Sequence, residues 1–342
     1  MRKWVLFHVA LALGLVACGS PKPSKPAVKE TKVAPPVEQP SSIIVVKETA
    51  APDPYVASPE KSTDAPVPYV RDERSSRLDL PAPKARGKEA WRAPLALGDA
   101  PPIHASFVLA AGNRAVVMGT DSWVLFDTKG VRIAGHEMDA PNIRIDRASG
   151  AVVPDDTRAA DLPADSKVAA HDGLVVMVKN GGVFVGERNI EGVFEPFDLA
   201  IDEKGIANVL VKQKEDLALW TIPIASNAAI GRHKIGPKRR SIGPPILGPK
   251  TRVVVLDTGI IAFGLDGKKL WEQKGVPTGG VTITNDDQTL IADGNRVVAV
   301  DHKGKRLEIW SAPDLTLVTP PIINASGLLL VASGSFLHGV AF

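Results

Sequence analysis

The sequence predicts an all-β protein, a single β-propeller that follows a long N-terminal linker. The main observation is a pattern that occurs three times between residues 251 and 342. Each copy has an apolar run, a tight glycine turn and a second apolar run, and two copies close with a Gly-Lys segment that leads to tryptophan. The copies start about 36 to 40 residues apart, and short strands with this period are typical of propeller blades.

The three copies lie next to one another in the chain. They are Arg252–Phe263 with Asp266–Trp271, then Gln288–Asp301 with Gly304–Trp310, and then Ser326–Phe342.

A copy of the Gly-Lys-Trp ending also occurs far upstream. Residues Gly87–Arg92 repeat the ending Gly267–Glu272, and the third copy lacks this ending. We therefore expect residues 87–92 to supply the outer strand of the blade whose other strands come last in the sequence. Such a closure leaves no open sheet edge between the first and last blades.

Fainter copies fill the region between these two ends. Hairpin patterns occur at 114–127, 143–153, 173–185 and 206–222, and no helical period is sustained. With the three clear copies, this predicts seven blades of four antiparallel strands over residues 86–342, at about 37 residues each. Six or eight blades remain alternatives, because residues 139–170 match the pattern weakly.

The N-terminus has the features of an export signal. A positive start, Met1-Arg2-Lys3, precedes an apolar stretch from Trp4 to Ala17, which is too short for a membrane-spanning helix. Residues 1–17 are therefore predicted to be a signal peptide.

The end of this stretch resembles the lipobox of bacterial lipoproteins at Leu15, Ala17 and Cys18. The resemblance implies that Cys18, the only cysteine, carries diacylglycerol after cleavage before it. Residue 19 is glycine rather than aspartate, which by resemblance implies an outer-membrane location facing the periplasm. The alternative is a plain signal peptide that is cut near Ala17.

Residues 18–85 are expected to form a linker. Between Pro21 and Pro83 there are 13 prolines, mixed with Ser, Ala, Lys and Glu. Such a composition buries too little apolar surface to offset the entropy of ordering, so the segment is predicted to be disordered and extended.

The repeats resemble the PQQ-like, quinoprotein-type propeller repeat. The matching segments are Ala262–Trp271 and Ala299–Trp310. The resemblance implies that the outer-strand tryptophan packs on the neighbouring blade, which gives Trp91, Trp271 and Trp310 a structural role. The resemblance is specific for the fold and carries little information on function.

Composition and motifs argue against several kinds of chemistry. The net charge is +3 and no basic stripe is interleaved with aromatic residues, so no nucleic-acid partner is expected. The histidines show no metal-ligand spacing, and neither a Gly-x-Ser-x-Gly elbow nor a P-loop occurs. We therefore expect a protein without enzymatic activity, cofactor or metal.

One basic segment is a candidate partner contact. It contains Arg232, Lys234, Lys238, Arg239 and Arg240 among glycines and prolines, between two blades. An acidic partner surface would be attracted to it, and the alternative is a solvated loop.

Together, these features predict a lipid-anchored scaffold that binds other cell-envelope proteins, with outer-membrane protein assembly as one specific role. The alternative function is a small-ligand or ion sensor that uses the propeller channel.

Overall fold

The apolar runs fold into antiparallel strands in the computed structural model, and no helix occurs among the residues it describes. The described residues are 78, 80–96, 103–111, 113–119, 122–137, 143–145, 152–154, 167–171, 174–179, 181–186, 188–191, 194–226 and 228–342.

The strands group into seven sheets, which we number as blades 1 to 7. Six blades are four-stranded, and blade 2 has two strands among the described residues. The strand that comes first in the chain, β1 (Lys88–Pro94), belongs to blade 7. These sheets confirm the prediction of an all-β propeller.

The strands of the first four blades are, in blade 1, β2 (Phe107–Ala111), β3 (Arg114–Met118), β4 (Ser122–Phe126) and β5 (Arg132–Glu137); in blade 2, β6 (Ile143–Ile145) and β7 (Val152–Pro154); in blade 3, β8 (Lys167–His171), β9 (Leu174–Lys179), β10 (Gly182–Val185) and β11 (Arg188–Glu191); and in blade 4, β12 (Glu195–Ile201), β13 (Ile206–Gln213), β14 (Asp216–Pro223) and β15 (Gly231–Pro237).

The strands of the last three blades are, in blade 5, β16 (Ile246–Leu247), β17 (Thr251–Leu256), β18 (Gly259–Gly264) and β19 (Lys269–Lys274); in blade 6, β20 (Gly280–Ile283), β21 (Thr289–Asp293), β22 (Arg296–Val300) and β23 (Arg306–Ser311); and in blade 7, β24 (Ile322–Ile323), β25 (Leu329–Ala332) and β26 (Phe336–Ala341), followed by β1.

The first strands of neighbouring blades face each other. Strand β12 contacts both β8 and β16, β16 contacts β20, and β24 contacts β2. In the four-stranded blades the first strand is therefore innermost, and the fourth strand lies at the outer edge.

Strand β1 completes the last blade. It pairs antiparallel with β26, with a register that runs from Lys88 opposite Ala341 to Pro94 opposite Phe336. The sheet order is β1-β26-β25-β24. This pairing confirms the closure by an N-terminal strand that the repeated Gly-Lys-Trp ending predicts.

Each blade has two ends, which define two faces of the propeller. The lower face carries the turns between first and second strands and between third and fourth strands. The upper face carries the turns between second and third strands and the connections between blades. This division follows from the antiparallel strand order within each four-stranded blade.

The packed chain begins N-terminal to β1. Leu78 is fully buried, and its N–H donates to Ile283 O at 2.7 Å, at the lower end of blade 6. The N–H of Ala82 donates to Asp286 Oδ1 at 2.9 Å. These residues lie in the segment 18–85, which is predicted as linker, and their apolar side chains explain the packing. Cys18 and the signal peptide lie outside the described residues.

Apolar side chains fill the spaces between blades. The largest cluster joins blades 6, 7 and 1, and it includes Leu78 and Trp310. Strand β17, in the middle of blade 5, is buried over its whole length. A central strand of this kind packs on both faces, so residues 253–256 form a continuous apolar run rather than an alternating pattern.

Candidate interaction site on the upper face

The sequence-predicted tryptophans lie at joints between blades. Trp91, on β1 of blade 7, packs on Gly130 in the turn between β4 and β5 of blade 1, where a Cβ would come within 2.5 Å of the indole. Its Nε1–H donates to Thr128 O in the same turn, at 3.0 Å. Trp91 therefore fixes the outer edge of blade 7 on blade 1.

The same contact recurs between blades 5 and 6. Trp271, on β19, packs on Gly304, where a Cβ would come within 3.0 Å of the side chain. Gly304 closes a turn in which Asp301 Oδ1 accepts the N–H groups of Lys303 and Lys305, both at 2.8 Å. The turn thus presents a bare glycine to the aromatic ring.

Trp310 is placed at the next joint. It is buried on β23 of blade 6, and its ring centroid lies 5.1 Å from that of His338 on β26 of blade 7.

A histidine replaces the tryptophan between blades 4 and 5. The ring of His233, on β15, covers Gly267 so closely that a Cβ there would overlap it. Burial lowers the pKa of this imidazole, although the nearby Asp266 carboxylate opposes the shift. The sequence gives no Gly-Lys-Trp ending in blade 4, so this joint was not predicted.

The basic segment is divided between the outer edge of blade 4 and the upper face. Three of its members have partners within the chain. The guanidinium of Arg232 stacks over the Trp220 ring at 4.8 Å, Lys234 Nζ lies 2.8 Å from Asp216 Oδ2, and Arg239 Nη1 lies 2.8 Å from Glu272 Oε1.

The carboxylate that pairs with Arg239 is held by two cations. Hydrogen bonds from Lys269 and then from Arg239 lower the pKa of Glu272. This pairing keeps Arg239 in the joint between blades 4 and 5 rather than presenting it to a partner.

The remaining two members, Lys238 and Arg240, are exposed on the connection from blade 4 to blade 5. Lys238 has a positive φ of 55°, and its N–H donates to Glu215 O at 2.9 Å. The backbone of Arg240 is tied to the turn after β17, because the Asp257 N–H donates to Arg240 O at 2.8 Å. The side chains of these two residues make no ion pair within the described structure.

An open cleft of about 500 Å³ lies beside Arg240 on the upper face, between blades 4 and 5. Ser241 fixes its floor, since the hydroxyl lies within hydrogen-bond distance of Gly243 O and Val255 O. Ile242 is 55 % exposed at its edge. The main lining residues are Phe197, Asp198, Arg240, Ile242, Pro244 and Asp257. The cleft thus combines an exposed cation and two carboxylates with exposed apolar surface.

A buried polar network on the lower face was not predicted. Arg252, on β17 of blade 5, reaches blade 4, where Nη2 pairs with Asp202 Oδ2 and Nε donates to Asn208 Oδ1 at 3.0 Å. On the other side, Thr251 Oγ1 donates to Asp287 Oδ2 of blade 6. Hydrogen bonds therefore join three successive blades, and no short motif reveals partners that are so far apart in sequence.

A Ser-His-Glu arrangement occurs in blade 7. Ser333 Oγ and Glu89 Oε2 each lie 3.0 Å from a ring nitrogen of His338. A nucleophilic serine needs an approach path for its substrate. Ser333 and His338 have no exposed surface, so in this conformation the arrangement is a structural network.

Within the described residues, no group of three or more His, Cys, Asp or Glu side chains is arranged to hold a metal ion. The same part of the chain contains no helix that is long and apolar enough to cross a membrane.

No protein-family model matches the chain. No curated protein matches it either. The fold itself resembles solved propellers. The WD40 β-propeller domain of Doa1 is 11 % identical, with 75 % of this chain and 97 % of that chain covered and a TM-score of 0.47. BamB from Moraxella catarrhalis is 14 % identical, with 75 % and 100 % covered and a TM-score of 0.39.

An enzyme is also among the similar structures. The gluconolactonase XC5397 from Xanthomonas campestris is 12 % identical, with 74 % of this chain and 99 % of that chain covered and a TM-score of 0.37. Likenesses of this size do not extend to what this chain binds or does.

Proposed function

We propose that this protein is a non-enzymatic interaction scaffold that binds a protein partner at the upper-face cleft between blades 4 and 5. The observation that carries the proposal is the exposed surface around the cleft, where Ile242 is exposed and the exposed cations Lys238 and Arg240 form no ion pair with a described residue.

The chemistry of this surface favours an acidic segment with an apolar anchor. Exposed cations that have no internal ion pair can attract a partner without breaking existing contacts. Ile242 adds apolar area that becomes buried on binding. The backbone ties of Arg240 to Asp257 hold the site in place before binding, which lowers the entropic cost of association.

We also propose that the scaffold is anchored to the outer membrane through its N-terminus. The resemblance of Leu15, Ala17 and Cys18 to a lipobox supports an acylated N-terminus on the periplasmic side of the outer membrane, with the residues between Cys18 and Leu78 as tether and the PQQ-like repeats as the tethered domain. Cys18→Ser is expected to move the protein from the membrane pellet to the soluble fraction. A variant that stays in the pellet would overturn the anchor.

The partner can be identified by chemical crosslinking in cells followed by purification from membranes. The double variant Arg240→Glu with Ile242→Asp is expected to lose the crosslinked partner. A matched control on the same face is Arg296→Glu with Val276→Asp, which makes the same changes at exposed positions of blades 5 and 6. Equal loss in both double variants would refute the cleft as the binding site.

The identity of the captured protein separates the specific roles. Subunits of the outer-membrane protein assembly machinery in the eluate would support that role. Recovery of the chain alone, together with a melting temperature that rises with a small ligand or ion, would instead favour the sensor function.

A further inference from the structure

The lower face has an outer rim that differs from the rest of the surface. We define the lower rim as residues 84–88 together with the third-to-fourth-strand turns and the first residues of the fourth strands in blades 5, 6 and 1. Five of the eight large apolar side chains that are exposed within the described structure lie on this rim or beside it. They are Val131, Leu265, Leu270, Leu307 and Phe342, with exposed fractions of 38 to 59 %.

Exposed cations are interspersed with these apolar side chains. Six of them make no ion pair with any described residue: Lys84, Lys88, Lys129, Lys303, Lys305 and Arg306.

The carboxylates of the rim already have partners within the chain. Asp127 and Asp301 each accept two backbone N–H groups of their own turns. Glu308 pairs with Arg86 at 3.0 Å. These carboxylates keep their charge, but the cations of the rim outnumber them, so the rim has a positive character.

The chain enters the propeller on this same face. The N–H of Leu78 donates to Ile283 O at the lower end of blade 6, and the segment then crosses the lower face to Gly87, whose N–H donates to Ile309 O at 2.8 Å. The described chain therefore enters the propeller on the lower face, at the inner strand of blade 6, and reaches the rim at residues 84–88.

We propose that the lower rim is a peripheral membrane-contact surface that rests on anionic phospholipid headgroups. Lysine and arginine side chains meet the lipid phosphates, and the exposed leucines, valine and phenylalanine reach the boundary between headgroups and acyl chains. The surface goes beyond the proposed scaffold role and does not require the acyl chain at Cys18. With the lower rim on the membrane, the upper-face cleft faces away from it and stays open to a protein partner.

The test is sedimentation of the unacylated chain, without residues 1–17 and with Cys18→Ser, with lipid vesicles. We expect binding to vesicles of phosphatidylcholine mixed with phosphatidylglycerol, and much weaker binding to pure phosphatidylcholine. Binding should fall as salt is raised, because exposed charges are screened over about 8–10 Å at moderate ionic strength.

The triple variant Lys303→Glu, Lys305→Glu and Arg306→Glu should weaken vesicle binding at least about 100-fold, since each cation near an anionic surface is worth about fivefold and each new glutamate is repelled by it. A matched control is Lys212→Glu, Lys214→Glu and Arg296→Glu, which makes the same charge change at exposed positions of the upper face outside the cleft. This control should retain binding within a few-fold.

Two vesicle results would overturn the proposal: no binding to anionic vesicles, or equal losses of binding in the two triple variants. A third result would also overturn it, namely that the triple variant of the rim still binds vesicles but no longer captures a crosslinked protein. The last result would make the rim a protein-docking surface. Failure of the vesicle prediction would not contradict the proposed cleft site, because the cleft variants are tested by protein capture rather than by vesicle binding.

Discussion

Glu89 Oε2 lies 3.0 Å from His338 Nδ1, although 249 residues separate the two along the chain. Glu89 is on the closing strand β1, and His338 is fully buried on β26. The contact adds a side-chain link to the backbone pairing that completes blade 7.

Replacing Glu89 with alanine should lower the free energy of unfolding by about 1–3 kcal/mol, because the buried imidazole nitrogen loses its partner. Urea unfolding followed by tryptophan fluorescence measures this change. Glu195→Ala serves as the control, since Glu195 is also an exposed glutamate on a strand but has no described partner. Equal effects of the two substitutions would show that the link contributes nothing.

The same histidine predicts how stability depends on pH. Burial lowers the pKa of His338, the Glu89 carboxylate opposes this shift, and Arg92 adds to it. The unfolded chain, with a histidine pKa of 6.5, therefore takes up a proton at a higher pH than the folded chain does. This contribution to stability is present above about pH 6.5 and is lost as the pH falls through the lowered folded-state pKa.

Chemical unfolding at a series of pH values from neutral to mildly acidic tests this sign. His338→Gln should flatten the pH dependence, and Glu89→Ala should steepen it, because the group that raises the pKa of His338 is gone. A wild-type stability that rises on acidification would contradict the account. The burial of His233 lowers its pKa as well, so this residue contributes with the same sign.

The docking of Trp91 on Gly130 can be isolated with a pair of glycine substitutions. Gly130 and Gly181 both have a positive φ, of 76° and 90°, but only Gly130 faces a neighbour within 4 Å. Alanine at either position costs about 1–2 kcal/mol of backbone strain. Gly130→Ala should cost clearly more, approaching the loss of about 3–5 kcal/mol expected for Trp91→Ala. Similar melting temperatures for the two alanine variants would contradict the docking.

The buried network between blades 4 and 5 predicts a rescue. Arg252→Met should destabilise the protein by about 3–5 kcal/mol, because it leaves the buried Asp202 carboxylate without its counter-charge. Combining it with Asp202→Asn should recover part of this loss, since the uncompensated charge is removed. Additive losses in the double variant, measured by denaturant unfolding, would show that the two side chains are not coupled.

The fold could be predicted from the sequence to the extent that structure repeats along the chain. The Gly-Lys-Trp ending marks the fourth strand, so its isolated copy at 87–92 predicted the pairing of β1 with β26. The Asp-x-x-Gly turns, such as Asp301 to Gly304, place a bare glycine under the tryptophan of the preceding blade. Local sequence determines these features.

The joints that depend on one residue from each of two distant segments could not be predicted. Arg252 meets Asp202 and Asn208 across 50 and 44 residues, and nothing near Arg252 marks its partners. His233 takes the position of a tryptophan with no repeat signature around it. Leu78 and Ala82 are buried although proline-rich sequence surrounds them. The composition of a whole segment predicts its average behaviour and does not show which single side chains pack. The basic segment was visible, but its internal partners were not.

Ring closure by β1 is the central claim, and a designed disulfide tests it most directly. Cys18 is the only cysteine, so Lys88→Cys with Ala341→Cys in a Cys18→Ser background can form one intrachain bond between residues that are paired and exposed. The account predicts that this bond forms on mild oxidation and raises the melting temperature relative to the reduced form. The control, Lys88→Cys with Ser335→Cys, places the second thiol at the opposite end of blade 7 and should stay reduced. Failure of the first pair to crosslink, or equal crosslinking of both pairs, would contradict the closure.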